Sequence, residues 1–267
     1  MNALALSYQE RAAHCHAPQA ARLLTLMHEK KTNLALSADV TRAEQLITLA
    51  ETLGPEICVL KTHIDIIQDF TPTLTQTLVQ IAKTHEFLLF EDRKFADIGA
   101  TVKAQYAGGI YQIAEWANLI NAHCLPGPGI VQGLAEVGLE KNRGLILIAE
   151  MSSAGHFMTQ HYIRETLTIA QKNANYVIGF ITQHALSSDP KWLNLTPGVK
   201  LEGGADALGQ RYVTPELAIR QHGADVIIIG RGITAAENPL LAAQQYRKSG
   251  WESYLKRCAK PFLGPLR

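Results

Sequence analysis

The 267-residue chain has little of what usually assigns a protein quickly. Its four cysteines, Cys15, Cys58, Cys124 and Cys258, are scattered without paired spacing. Neither a disulfide framework nor a zinc ribbon is expected, and the thiols should be reduced. No apolar run exceeds the five residues 145–149, far short of the ~20 that a membrane-spanning helix needs. The N-terminus carries Glu10 and Arg11 where a secretory signal would place its apolar core, so a cytoplasmic address is expected. Net charge is also missing. Twenty-five basic residues balance twenty-four acidic ones, a formal charge of +1, so no overall field draws in nucleic acid or an anionic membrane. Any anion must be held locally. Repeats, linkers and low-complexity tracts are absent as well, and one domain over residues 1–267 is expected. His14, Cys15 and His16 are adjacent, a poor arrangement for three ligands to one ion, and read as helix surface.

What is present is core. A hydrophobic fraction of 47% with 18% charged residues excludes disorder. Short aliphatic and β-branched runs recur at 34–38, 57–60, 87–90, 119–122, 145–149, 176–181, 192–195 and 226–229. Runs so short and so continuously apolar suit strands buried on both faces, as in parallel sheets flanked by helices. Helical patterns fill most gaps. Thr41 and Glu44 form a capping-box pattern, Ala43, Leu46, Ile47, Ala50 and Leu53 follow at helical spacing, and Gly54 stands at the C-cap. Leu74, Leu78, Ile81 and Ala82 form a second stripe, and Ile163, Leu167 and Ala170 a third. Only residues 184–191, with Pro190, separate the sixth and seventh runs, too few for a comfortable crossover helix. The alternation predicts an α/β fold, a single (β/α)8 TIM barrel, with an open doubly wound sheet as the alternative.

In such a barrel, functional groups belong at the C-terminal ends of the strands. Asp39 follows the first run, Lys61 the second, Asp92 and Lys94 the third, Ser152 the fifth, Pro197 the seventh and Arg231 the eighth. On extended chain, residues two apart share a face, so Asp92 and Lys94 can both enter the barrel mouth with Lys61, while Glu91 and Arg93 point elsewhere. A lysine kept cationic by carboxylates can donate a proton, and a carboxylate repels any carboxylate placed beside it. That pairing suits decarboxylation. Late in the chain, Thr196-Pro197-Gly198-Val199 opens a glycine-rich loop through Gly203, Gly204 and Gly209 to Gln210 and Tyr212, and Gly230-Arg231-Gly232 ends the eighth run. Loops after the last two strands often bind phosphate through backbone N–H groups, with arginine adding a bidentate donor.

These residues carry a resemblance. Asp92-Arg93-Lys94-Phe95-Ala96-Asp97-Ile98-Gly99 with Thr101, preceded by Leu60-Lys61-Thr62-His63-Ile64-Asp65, is similar to orotidine 5′-phosphate decarboxylases of the eukaryote-like subgroup. The segments 196–199, 206–210 and 230–232 are similar to the phosphate-end motifs of that family. The resemblance implies a homodimer with shared sites that converts orotidine 5′-monophosphate to UMP and CO2, the last step of UMP synthesis, without metal or organic cofactor. It implies a catalytic array of Lys61, Asp92 and Lys94 joined by Asp97 of the other subunit, with Lys94 protonating the carbon that CO2 leaves. Asp39, Lys61 and the partner's Thr101 would meet the ribose, Ser152 the pyrimidine, and Gln210, Tyr212 and Arg231 the phosphate. Ile98, Pro197 and Gly230 would complete the binding site. One departure is visible: Ala154 stands where relatives often carry lysine, which puts only loop contacts around the base in question. The chain begins just before the decarboxylase part, so a stand-alone enzyme is expected. Two other readings remain at this stage, a magnesium-dependent sugar-phosphate decarboxylase or synthase on the same barrel and a non-catalytic UMP-binding barrel.

Overall fold

A computed structural model describes residues 3–205 and 211–259, and in it the eight apolar runs become the strands of a closed parallel barrel. In chain order these are β1 (Leu34–Ser37), β2 (Val59–Thr62), β3 (Leu88–Phe95), β4 (Leu119–His123), β5 (Gly144–Ile148), β6 (Val177–Ile181) and β7 (Leu193–Pro197). A small antiparallel pair follows, β8 (Gly204–Ala205) and β9 (Arg211–Tyr212), before β10 (Val226–Ile229) completes the barrel. Closure is direct: Ala35 of β1 is paired with Val59 on one side and with Ile228 of β10 on the other. An open sheet would leave β1 or β10 with an unpaired edge, so the doubly wound alternative is excluded. Strands such as β1, β5 and β10 are buried along their whole length, which is why each reads as an unbroken apolar run.

The helices are α1 (Tyr8–Ala12), α2 (Pro18–Lys30), α3 (Ala43–Leu53), α4 (Pro72–His85), α5 (Gly99–Ala107), α6 (Ile113–Trp116), α7 (Gly129–Gly138), α8 (Gln160–Lys172), α9 (Arg231–Thr234) and α10 (Pro239–Ala259). The predicted stripes of α3, α4 and α8 face the barrel: Leu46, Ala50 and Leu53, then Leu74, Leu78, Ile81 and Ala82, then Ile163 and Ala170 are buried. Among the described residues no helix is long and apolar enough to cross a membrane. Helices α5 and α7 cross at contact distance, because a Cβ on Gly133 would stand 2.2 Å from the carbonyl oxygen of Gly99. That approach fixes the segment just after β3.

Two local expectations are corrected. Thr41 and Glu44 do not form the capping box of α3; the N-cap is Arg42, and the Ala43 N–H donates instead to Asp69 Oδ1 at 2.8 Å, a cap supplied by the next loop. A capping box does occur at α1, where Ser7 and Glu10 exchange hydrogen bonds. His14, Cys15 and His16 lie in the turn between α1 and α2 rather than on a helix. As the spacing predicts, no helix joins β6 to β7. Part-buried backbone groups at the start of that segment are met from the end of β5, with Glu150 Oε2 accepting from the N–H of Gln183 at 2.8 Å and of His184 at 3.2 Å.

At the N-terminal end of the barrel both ends of the chain converge on one buried carboxylate. Asp225 accepts from Arg11 of α1, from Arg257 Nη2 of α10 at 3.0 Å and from the Asn194 N–H at 3.0 Å. Burial alone would raise its pKa, but the two guanidinium groups outweigh burial and hold it below the usual carboxylate range. Because the folded-state pKa is depressed, this contribution to stability is present above about pH 4, the unfolded value, and is lost as pH falls below it. Asp225→Asn leaves two buried arginines without their counter-charge and should cost roughly 3–5 kcal/mol near neutral pH. Urea unfolding at several pH values checks this, with the difference from the unsubstituted protein shrinking toward pH 3.

Candidate active site

Groups from all eight barrel strand ends line one cleft at the C-terminal mouth of the barrel, with a volume of about 280 Å³. Its floor holds an alternating charge array. Asp92 Oδ2 stands 2.8 Å from Lys61 Nζ, and Asp92 Oδ1 stands 2.7 Å from Lys94 Nζ. Lys61 Nζ also approaches Asp39 Oδ1 at 3.4 Å, and Ser37 Oγ donates to that same oxygen at 2.8 Å. Lys61 and Asp92 are 6% and 9% exposed, so their charges persist only through mutual compensation. Burial pushes the Asp92 carboxyl up, yet the ammonium groups of Lys61 and Lys94 outweigh it and hold the group down at about 2. Burial likewise opposes charge on Lys61, but Asp92 and Asp39 raise its pKa above the ordinary lysine value. Asp92 and Lys61 are therefore both ionised at neutral pH.

The local backbone differs from the extended D-x-K geometry that residue spacing predicts. Glu91 pairs with Ile120 and Phe95 with Ala122, so four steps along β3 match only two along β4. Within this bulge Lys94 takes a left-handed conformation, φ 51°, which costs a non-glycine residue about 1–3 kcal/mol and must be held by its surroundings. Asn121 of β4 supplies the holding contacts. Its Oδ1 accepts from the Lys94 N–H at 2.8 Å and its Nδ2 donates to Asp92 Oδ1 at 2.6 Å. Lys94 and Asp92 therefore share the cleft, through a bulge rather than through alternation.

The intervening charges turn away, as expected. Arg93 lies over the Phe95 ring, 5.8 Å from its centroid. Glu91 is wholly buried and accepts from Thr62 Oγ1 at 2.6 Å and from the Ile64 N–H at 3.1 Å. Among the described residues no cation pairs with it, and burial pushes its carboxyl up to about 8.

The opposite end of the cleft is shaped for an anion. Arg231 Nη2 donates to the Tyr212 hydroxyl at 2.7 Å, and Lys200 Nζ stands 3.9 Å from the centroid of the same ring. Gly198 has φ 77°, a conformation glycine adopts without strain, and lets the loop leave β7 over the cleft. Pro197, Ser152 and Gly230 line the cavity with these residues. Ala154 is exposed and outside it. Gln210 lies outside the described residues.

Nine of the residues predicted from sequence thus meet in one place: Asp39, Lys61, Asp92, Lys94, Ser152, Pro197, Tyr212, Gly230 and Arg231. Asp97, Ile98 and Thr101 do not line the cleft of their own chain. Asp97 and Ile98 are exposed at the start of α5, with Asp97 Oδ1 accepting from the Ile98 N–H at 2.7 Å. Sequence reasoning passed over Ser37, His63, Asn121 and Lys200. His63 could have been found, since it follows Lys61 by two residues, and its Nε2 lies 2.9 Å from Lys61 Nζ and 3.3 Å from Asp92 Oδ2. Burial and Lys61 depress its pKa, so it is a neutral imidazole. Among the described residues no three His, Cys, Asp or Glu side chains are grouped to hold a metal ion.

The profile of the orotidine 5′-phosphate decarboxylase / HUMPS family matches residues 32–246. The chain belongs to this family. Residues 32–246 include every strand of the decarboxylase barrel and all the cleft residues named above. The uridine 5′-monophosphate synthase of Bos taurus is 54% identical over 242 residues, covering 91% of this chain and 50% of that protein. The orotidine 5′-phosphate decarboxylase of Rhizopus oryzae is 51% identical over 255 residues, covering 94% of this chain and 96% of the relative. The chain thus spans about half of the bovine protein and nearly all of the fungal one. In fold it is similar to the orotidine 5′-monophosphate decarboxylase of Methanocaldococcus jannaschii, solved with the inhibitor BMP, at a TM-score of 0.65 and 21% identity over 82% of this chain and 98% of that one.

Glu91 generates a stability prediction. A carboxyl whose folded-state pKa is raised from about 4.3 to about 8 favours the folded state below pH 4.3, and that advantage is lost as pH rises to 8. Glu91→Gln keeps an acceptor for Thr62 and Ile64 without a titrating group. Its stability relative to the unsubstituted protein should rise between pH 5 and pH 8 by more than ~1 kcal/mol, as measured by denaturant unfolding.

Proposed function

We propose that the cleft decarboxylates orotidine 5′-monophosphate to UMP and CO2, the last step of UMP synthesis. The observation that carries this reading is Asp92, a buried carboxylate gripped by the ammonium groups of Lys61 and Lys94. A substrate carboxylate set beside Asp92 meets like charge. At ~4 Å and an effective dielectric of ~20 this costs about 4 kcal/mol, too little to account for catalysis alone. The larger effect comes as the bond from the pyrimidine ring to the carboxylate breaks and its electron pair stays on the ring carbon. The fixed ammonium of Lys94 meets that developing charge, which is absent in the ground state, and so favours the transition state selectively. Lys94 then delivers its proton to the carbon, CO2 departs, and the neutral amine is reprotonated from solvent. No step requires a metal or organic cofactor.

Substrate placement follows from the rest of the cleft. Arg231 and Tyr212 hold the phosphate, a role in which the family resemblance adds Gln210, Asp39 with Lys61 meets the ribose hydroxyls, and Ser152 bonds the pyrimidine beside Pro197 and Gly230. Binding energy from the phosphate closes the glycine-rich loop and excludes water from the array. Asp97 and Ile98 are exposed just before α5 and half-buried Thr101 lies in its first turn, and in a homodimer they reach the neighbouring cleft, where the partner subunit's Asp97 extends the charge array and the partner subunit's Thr101 meets the ribose. Two features support this: exposed Asp97 and Ile98 lie in the short turn between β3 and α5, and Ile98 leaves a large apolar side chain 65% exposed.

Orotidine 5′-monophosphate added to the purified protein with EDTA present should lose its ultraviolet absorbance as UMP forms, and Lys94→Ala should lower that rate by at least ~10³-fold. Near-normal turnover by the variant would dismiss Lys94 as the proton donor, and loss of activity in EDTA restored by Mg2+ would favour a metal-assisted reaction. Mixing Lys61→Ala with Asp97→Ala chains tests the shared site. Each mixed dimer regains one intact cleft, so activity should recover to about a quarter of that of the unsubstituted protein, whereas sites built from single chains would stay inactive.

A further inference from the structure

The catalytic array rests on an irregular stretch of β3, and a left-handed lysine backbone does not hold itself in place. We infer that Asn121 is the positioning residue of this site, coupling the Asp92 carboxylate and the Lys94 main chain into one rigid unit through its side-chain amide. This rests on the decarboxylase reading above.

Three observations converge. Asn121 is fully buried inside β4, in a run of Leu119, Ile120 and Ala122 where an amide is costly unless both its ends are bonded. Both ends are used on the array, the Oδ1 by the Lys94 N–H at 2.8 Å and the Nδ2 by Asp92 Oδ1 at 2.6 Å. The amide can take only this orientation, since the reverse would set a carbonyl against a carboxylate and an NH2 against an N–H. Donor and acceptor ends thus act on different members of the array. Both bonds bear on where Lys94 and Asp92 stand when charge develops. Asn121 lines the cleft with both ends of its amide engaged by Lys94 and Asp92, so ground-state binding of the nucleotide should not depend on it.

The expected signature is a split between turnover and binding. Asn121→Ala should lower kcat on orotidine 5′-monophosphate about 30- to 100-fold, with KM and the UMP dissociation constant within about threefold of the unsubstituted protein. Asn121→Asp retains the shape and the acceptor for the Lys94 N–H but withdraws the donor to Asp92. It keeps the test open if the alanine variant does not fold, and its kcat should fall at least as far with UMP binding again preserved. A kcat within threefold of the unsubstituted protein in either variant overturns the inference. So does a parallel loss of turnover and UMP affinity, which a merely structural role predicts. Absence of turnover by the unsubstituted protein would instead overturn the decarboxylase reading, and UMP binding measured in the same series keeps the two failures apart.

Discussion

A carboxylate as deeply buried as Asp92 stays ionised only because two ammonium groups touch it, and the buried ammonium of Lys61 in turn stays charged because the carboxylate is there. Separated from one another in a low-dielectric interior, each would lose its charge or unfold its surroundings. The catalytic proposal depends on that mutual dependence, since it requires positive charge already in place where electrons are released. Oriented charge fixed by folding needs no reorganisation during the reaction, which is the physical advantage of building the array into strands rather than loops.

The barrel serves this arrangement at both ends. At the mouth, Asp39, Lys61, Lys94 and Asp92 come from three adjacent strand ends, and parallel closure brings Arg231 from the last strand round beside Asp39. At the opposite end, Asp225 gathers Arg11 and Arg257 and ties the first and last helices to the strands. The two clusters use the same chemistry differently. Asp225 is enclosed with its partners and serves stability, whereas the cleft array opens onto a cavity, where Lys94 has room to meet a substrate.

Much of this was legible in residue order. The eight apolar runs correspond to the eight barrel strands because a strand buried on both faces leaves no polar alternation to disguise it. The bias of charge toward strand C-termini pointed to the cleft, and most of the residues it marked meet there. Contacts supplied from outside a segment were not legible. Thr41 and Glu44 have the spacing of a cap, yet Asp69 from the following loop supplies it. Asn121 sits in plain view as a lone amide in an apolar strand, but its partners lie on β3, and no spacing rule within β4 identifies them.

The sequence by itself determined the alternation of strand and helix, the balance of charge and the order in which lysines and aspartates reach the strand ends, because these follow from local periodicity and composition. Only the tertiary structure decided that the sheet closes, that β3 bulges to turn Lys94 inward, and that Asp97, Ile98 and Thr101 stand outside their own cleft. The physical reason is that closure, bulging and burial depend on contacts between segments distant in the chain, whose energies no single segment contains.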